Sequence, residues 1–354
     1  MKKVENIRNI LQSHQAALIS SNINRRYITG FNSSAGTVLI TNNRAILLID
    51  FRYFEKAKAE INCFEIILCE KLYSQINEIL KSENISEILI EENTTTLSSA
   101  RNIKKALPNF KISDNNGLSE KIENLRQIKS PQEIENIKKA QSVTDQAFNH
   151  ILNFIKAGKT EKEIALELEF FMRKNGSEGV AFDTIAVSGK NSSLPHGVPT
   201  DKPLEKGDFL TMDFGAVWSG YCSDMTRTVG IGSLNDEQIN IYNTVFDAQK
   251  AALDCIGPKK ICKNIDKIAR DLIYNAGFEG KFGHGLGHSV GLEIHENPAC
   301  NTRDETELKP GMIMTVEPGI YLENKFGVRI EDMVLITENG FENLTKSPKE
   351  LIIL

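Results

Sequence analysis

The sequence predicts an α/β domain followed by a larger α+β domain built around an internal duplication. Three observations predict this. The first third alternates short apolar runs with helical stretches. After Gly176 the composition shifts towards Gly, His and strand-like runs. And "LEKGDFLTMDFG" (204–215) aligns without a gap on "LKPGMIMTVEPG" (308–319), at an offset of 104 residues (Asp213 to Glu317). At 354 residues, 40% hydrophobic and 25% charged, the chain has material for more than one core.

"AALIS" (16–20), "GTVLI" (36–40), "AILLID" (45–50) and "ISEILIEEN" (85–93) read as strands, and "TLSSARNIKKALP" (96–108) as a helix ended by Pro108. This part holds no glycine-rich phosphate loop and no cluster of His with carboxylates. A structural or assembly role is the expectation for it. The boundary is expected near "ENLRQIKSPQEIENIKKAQ" (123–141), giving domains 1–122 and 123–354. Ser130 as N-cap, Pro131 at the first position and Glu133 at the third mark a helix start there. Ile134, Ile137, Val143 and Phe148 carry its apolar face onward. A second, amphipathic helix is expected over 160–176, ending at Gly176.

The duplication carries acids. Asp213 falls on Glu317, and each copy is followed by a second acid: Asp224 in "YCSDMTRTVGI" and Glu331 in "GVRIEDMVLI". Asp213 stands among Phe209, Leu210, Met212 and Phe214, where an unpaired charge is costly. "TMDFGAVWSGYCSDMTRTV" (211–229) reads as a hairpin turning at Ser219-Gly220. Trp218 opposite Tyr221 then sets Asp213 opposite Thr226, with Asp224 as its diagonal neighbour about 7–8 Å away. Two carboxylates aimed at one spot repel each other, and a cation between them is the economical answer. The second copy has a longer loop around "ENKFG" and is expected to bring Glu317 and Glu331 together likewise, with Arg329 on the same strand face as Glu331.

Of the six histidines, His14 and His150 lie in helix-like stretches and carry no expectation. His196 sits in "SLPHGVP", and His284, His288 and His295 in "GHGLGHSVGLEIHENP". Gly283, Gly285, Gly287 and Gly291 argue against an ordinary helix there and for backbone packed closely against something. His288 is the first candidate for a nitrogen ligand, although spacing alone leaves His284 open. Four carboxylates and one imidazole balance two divalent cations and suit Mn²⁺, Co²⁺, Fe²⁺ or Zn²⁺, unlike a thiolate-rich structural zinc site. Two such ions about 3.5–4 Å apart share a bridging hydroxide that is nucleophilic at neutral pH, so the expected chemistry is metal-assisted hydrolysis. The spare histidines suit carbonyl polarisation, proton transfer or oxyanion stabilisation.

The bulk numbers exclude other classes. Net charge is −5 with no basic stripe, so no nucleic-acid partner is expected. No apolar run approaches the roughly 20 residues that span a bilayer, and "MKKVENIRNILQSHQAAL" has no signal-peptide core, so no membrane partner is expected. The cysteines (Cys63, Cys69, Cys222, Cys255, Cys262, Cys300) form no C-x-x-C pair and read as free thiols, which points to the cytoplasm.

Through "LPHG", "MDFGAVWSGYCSDMTRT", "GHGLGHSVGLEIHENP", "GMIMTVEPGIY" and "GVRIEDMVLIT", the second domain resembles the pita-bread metallopeptidases, the family of methionine aminopeptidase, prolidase and aminopeptidase P. The resemblance implies an α+β pita-bread, creatinase/aminopeptidase-like catalytic domain. It implies metal ligands at Asp213, Asp224, His288, Glu317 and Glu331, so it settles the choice of His288. Glu317 would also take a proton from the attacking water. His196 and His295 would contact the substrate, His284 would line the site, and Arg329 would support Glu331, with Tyr321 in a similar role. Two divalent cations are implied, Mn²⁺ first, with Co²⁺, Zn²⁺ and Fe²⁺ as alternatives.

The roughly 120 extra N-terminal residues, with "RYITGF", "LLIDFRY" and the junction, resemble the proline-specific branch. Cleavage of Xaa-|-Pro from peptides with proline at position 2 is implied, by a dimer as is usual in the family. An Xaa-Pro aminopeptidase is the leading expectation, with Xaa-Pro dipeptidase (prolidase) next. Methionine aminopeptidase and an inactive peptide-binding module follow. Arg303, 14 residues before Glu317, is where some prolidases place an arginine for the dipeptide carboxylate.

Overall fold

A computed structural model describes residues 2–115 and 117–354 of the protein. The chain divides into two compact units, Met1–Arg126 and Gln127–Leu354. All six cysteines are free thiols. No helix among the described residues is long and apolar enough to cross a membrane.

The first unit runs α1 (Lys2–Arg8), β1 (Gln15–Ile19), α2 (Asn22–Thr29), β2 (Thr37–Ile40), β3 (Ala45–Ile49), α3 (Phe51–Glu60), β4 (Glu65–Leu68), α4 (Leu72–Ser82), β5 (Glu87–Ile90), α5 (Leu97–Ala106), β6 (Lys111–Ser113) and α6 (Leu118–Gln127). Its mixed sheet has the order β4-β3-β2-β1-β5-β6. The apolar runs read as strands became β1, β2, β3 and β5. β5 is shorter than its run because the buried Glu91 carboxylate turns to the backbone N–H groups of Ser20 and Ser21, at 2.6 and 2.9 Å. β4 and β6 lack a buried stripe and gave no clear strand pattern. Ile76, Ile79 and Leu80 of α4 and Ile103 of α5 close the core over the sheet.

The second unit continues with α7 (Pro131–Ile151), α8 (Glu161–Lys174), β7 (Ile185–Ser188), β8 (Phe209–Phe214), β9 (Val217–Trp218), β10 (Tyr221–Cys222), β11 (Met225–Gly230), α9 (Asp236–Cys255), α10 (Cys262–Asn275), β12 (Gly287–Ser289), β13 (Glu296–Cys300), β14 (Ile313–Val316), β15 (Gly319–Leu322), β16 (Phe326–Arg329), β17 (Asp332–Thr337) and β18 (Gly340–Asn343). Both expected helix starts are built as capping boxes. The Ser130 N–H donates to Glu133 Oε2 at 2.8 Å, and Thr160 exchanges bonds with Glu163. α8 stops at Lys174, two residues before Gly176, whose φ of 96° belongs to the turn beyond.

The duplication is visible as two layers of like design. In one, α7 and α8 (Phe148, Leu168, Met172) cover the sheet β11-β8-β7 (Leu210, Met212). In the other, α9 and α10 (Ile241, Val245, Ile265) cover the sheet β13-β12-β14-β17-β18 (Met314, Val316, Val334). Each layer contains a long hairpin with a break in it. β8 pairs with β11, Asp213 opposite Thr226, and beyond the break β9 pairs with β10, Trp218 opposite Tyr221. Ser219 and Gly220 turn the chain at φ 49° and 82°. In the second copy β14 pairs with β17, Val316 opposite Asp332, and β15 with β16, Gly319 opposite Arg329. The register carries across the break in both. Ser223 N–H bonds Ala216 O at 2.9 Å in one, and Ile330 N–H bonds Pro318 O at 3.4 Å in the other.

Candidate metal centre

Asp224 lies in the first break, and Glu317 and Glu331 flank the second, where no ladder partner occupies the chain. Asp213 points inward from the last turn of β8, and His288 from β12. Gly287 lets β12 approach this closely, since a Cβ there would stand 2.0 Å from Thr315 O. All five side chains line one cavity of about 660 Å³. His196, His284, His295 and Arg329 line it too. Arg303 does not. It is exposed on the loop after β13, where its N–H bonds Asn301 Oδ1 at 2.8 Å.

Burial dominates three of the acids. Asp224 is raised well above the ordinary carboxylate range, first by burial and then by Glu331, Asp213 and Glu317. Glu331 is raised by burial, then by Glu317 and Asp213, while the Thr226 hydroxyl works against the shift. Burial lifts Glu317 to about 8, against the pull of Arg329. Arg329 keeps its proton despite burial because Tyr321, Asp213 and Glu317 surround it. Its guanidinium donates to Asp213 Oδ2 at 2.7 Å, Tyr321 Oη at 2.7 Å, Thr226 Oγ1 at 3.0 Å and Pro195 O at 3.1 Å.

His288 and His284 are held neutral by burial. Burial, then His295, lowers His288 to about 4. Nδ1 lies 3.2 Å from Ser289 O, which fixes it as the N–H donor and leaves the Nε2 lone pair facing the acids. Nε2 is 3.3 Å from Glu317 Oε1 and 3.6 Å from Asp224 Oδ2. Burial, then Arg329, lowers His284 to about 4. Its Nδ1 donates to Gly285 O at 2.8 Å, and its Nε2 accepts from the Tyr321 hydroxyl at 2.9 Å. The His288 and His295 rings meet at 4.4 Å.

Buried acids crowded so closely that they hold on to protons, with a His288 lone pair aimed among them, call for a cation in the protons' place. Asp213 Oδ1 and Glu331 Oε1 are buried without a hydrogen-bond partner, which adds two free acceptor positions. Asp224, His288 and Glu331 each offer an atom within 4.8 Å of the others. The donor set therefore fits hard or borderline divalent cations. Two supporting residues escaped the sequence reading. Thr226 joins Arg329 to Glu331 Oε2 (2.8 Å). Thr315 donates to Glu317 Oε1 at 3.1 Å and accepts from His288 N–H at 2.9 Å. A threonine next to a strand acid is the signal each left, and ordinary strand preference hides it.

Residues 135–338 match the metallopeptidase family M24, and residues 3–128 match the creatinase/prolidase N-terminal domain. The chain is 41% identical to an Xaa-Pro dipeptidase of Pyrococcus furiosus, over 94% of each. The fold superposes on an Xaa-Pro dipeptidase from Bacillus anthracis with a TM-score of 0.96 at 42% identity, covering 100% of this chain and 99% of that one. It also superposes on an X-Pro aminopeptidase from Thermotoga maritima at 0.92 and 38% identity, covering 99% of this chain and 100% of that one.

Proposed function

The chain belongs to metallopeptidase family M24, and on that premise we propose that it is an Xaa-Pro dipeptidase that binds two divalent cations, Mn²⁺ first, through Asp213, Asp224, His288, Glu317 and Glu331. The observation that carries the metal assignment is the His288 Nε2 lone pair aimed between Glu317 and Asp224. The P. furiosus and B. anthracis relatives, both named Xaa-Pro dipeptidases, move the reading from aminopeptidase towards dipeptidase. When bound, the cations supply an activated water and a positive field for the scissile carbonyl.

The chain's own residues do the rest. Glu317, whose burial raises its proton affinity, takes the water's proton and passes it to the leaving imide nitrogen. His196 and His295, exposed on the cavity wall, donate to the oxygen that gains charge. Arg329 holds Asp213 in place, and Tyr321 relays that order to His284. Proline offers no N–H for extended-backbone binding, so recognition falls to the shape of the cavity, with Phe182, Ile185 and Ile294 on its walls.

A second reading, Xaa-Pro aminopeptidase, is favoured by one observation. Among the described lining residues Arg329 is the single Lys or Arg, and it is already engaged by Asp213, so a dipeptide carboxylate meets no other such side chain of this unit. Purified protein with Mn²⁺ should hydrolyse Ala-Pro. Cleavage of Ala-Pro-Ala-Ala but not Ala-Pro would install the second reading, and cleavage of neither removes both. The six free thiols are in keeping with a cytoplasmic address. The homodimer expected from the family is checked by sedimentation at micromolar concentration, where a monomer alone would overturn it.

A further inference from the structure

Lys129 belongs to the junction segment just before α7, and the chemistry proposed above makes no use of it. Its side chain is 2% exposed and its partner Glu296 6%. The ammonium donates to Ser289 Oγ at 2.8 Å and to Glu296 Oε2 at 3.3 Å. These two residues face each other across β12 and β13 at an irregularity. Ser289 pairs with Glu296 and His288 with Ala299, so Asn297 and Pro298 are extra on β13. Such bulges bend a strand and re-aim its side chains. Here the side chains are His288, one residue before Ser289, and His295, one residue before Glu296.

The other carboxylate oxygen of Glu296 accepts from the Glu293 N–H at 3.2 Å, inside the loop that joins the strands. Gly291 packs against the same carboxylate, where a Cβ would stand 2.5 Å from it. The start of α7 and the β12–β13 loop also grip the first copy. Glu133 Oε1 accepts from the Tyr221 hydroxyl at 2.7 Å, and Cys222 N–H bonds Gly291 O at 2.8 Å. Asp224 follows two residues later. A buried ion pair is a poor source of stability, because well-packed apolar residues often do as well. Its distinctive product is a fixed geometry.

We propose that Lys129 is a positioning residue: its ammonium clamps the β12–β13 bulge and so holds His288 and His295 towards the four acids. The inference rests on the Xaa-Pro reading for its activity measurement only. Lys129→Met removes the charge at similar length. The imidazole NMR resonances of His288 and His295 should shift in it while those of His14 and His150 stay. Mn²⁺ affinity should fall about tenfold or more, and kcat on Ala-Pro about 10–100-fold with little change in KM.

The double variant Lys129→Met/Glu296→Gln also neutralises the carboxylate that the ammonium faced. It should regain thermal stability and keep the low kcat, whereas a purely stabilising Lys129 predicts that both return. If Lys129→Met does not fold, the double variant and Ser289→Ala carry the test, with kcat down about threefold or more in Ser289→Ala. Unmoved His288 and His295 resonances, a kcat restored in the double variant, or a wild-type kcat in Ser289→Ala would overturn the proposal. Should the wild type cut no Xaa-Pro substrate, the functional reading fails, and the ring resonances and Mn²⁺ titration still decide this one.

Discussion

At Asp224, burial and three neighbouring carboxylates act in the same direction, and His288 Nε2 faces it with a lone pair at 3.6 Å. Such a side chain serves function at the expense of the metal-free fold. Asp224→Asn should cut turnover at least about 10³-fold while the metal-free protein melts no lower than wild type, as read by peptide assay and calorimetry. A melting point several degrees lower would show that Asp224 supports the fold. Thr226 is the opposite case, since its hydroxyl satisfies both Arg329 Nε and Glu331 Oε2. Thr226→Val keeps the shape and leaves two buried polar atoms, Arg329 Nε and Glu331 Oε2, without the hydroxyl that bonds them. It should cost about 1–3 kcal/mol in urea unfolding and weaken Mn²⁺ binding about 10–100-fold. Asp213 was legible in the sequence because a carboxylate among Phe209, Leu210, Met212 and Phe214 breaks a strand's pattern, whereas the choice of His288 over His284 came from family resemblance and not from spacing. Thr226 and Thr315 were not legible, because threonine is what a strand ordinarily contains.

Each hairpin keeps one register through its break, so the break can spare a carboxylate from the ladder without losing alignment. Close backbone approach makes this work. At Gly215 a Cβ would stand 1.9 Å from Ser223 O. Gly215→Ala should therefore force the two arms apart, costing about 3 kcal/mol in urea unfolding, and Mn²⁺ affinity should fall with it because Asp213 and Asp224 separate. Unchanged affinity would mean that the break does not set their spacing. The pairing of Trp218 with Tyr221 and Asp213 with Thr226 followed from a single turn assignment at Ser219-Gly220, because hairpin register is fixed by its turn. β12 was illegible as a strand. Three residues that begin at a glycine carry no period, and the ladder alone defines them.

At the scale of the whole chain, all the proposed ligands belong to the second unit. Mn²⁺ at about 100 times its dissociation constant should stabilise the second unit by about 2.7 kcal/mol. Calorimetry with and without chelator can read this shift. The layout of two helix pairs over two sheets was foreshadowed by a twelve-residue self-match, though not its helices, because amphipathic helices conserve a face and not a sequence. The trio within 4.8 Å draws Asp224 from one copy of that layout and His288 and Glu331 from the other. An ion shared by the three is thus a staple across the line where the copies meet. Pulling it out should speed amide deuteration on β8 and β11 together with β14 and β17, and exchange that quickens on one side alone would show that the copies do not depend on it.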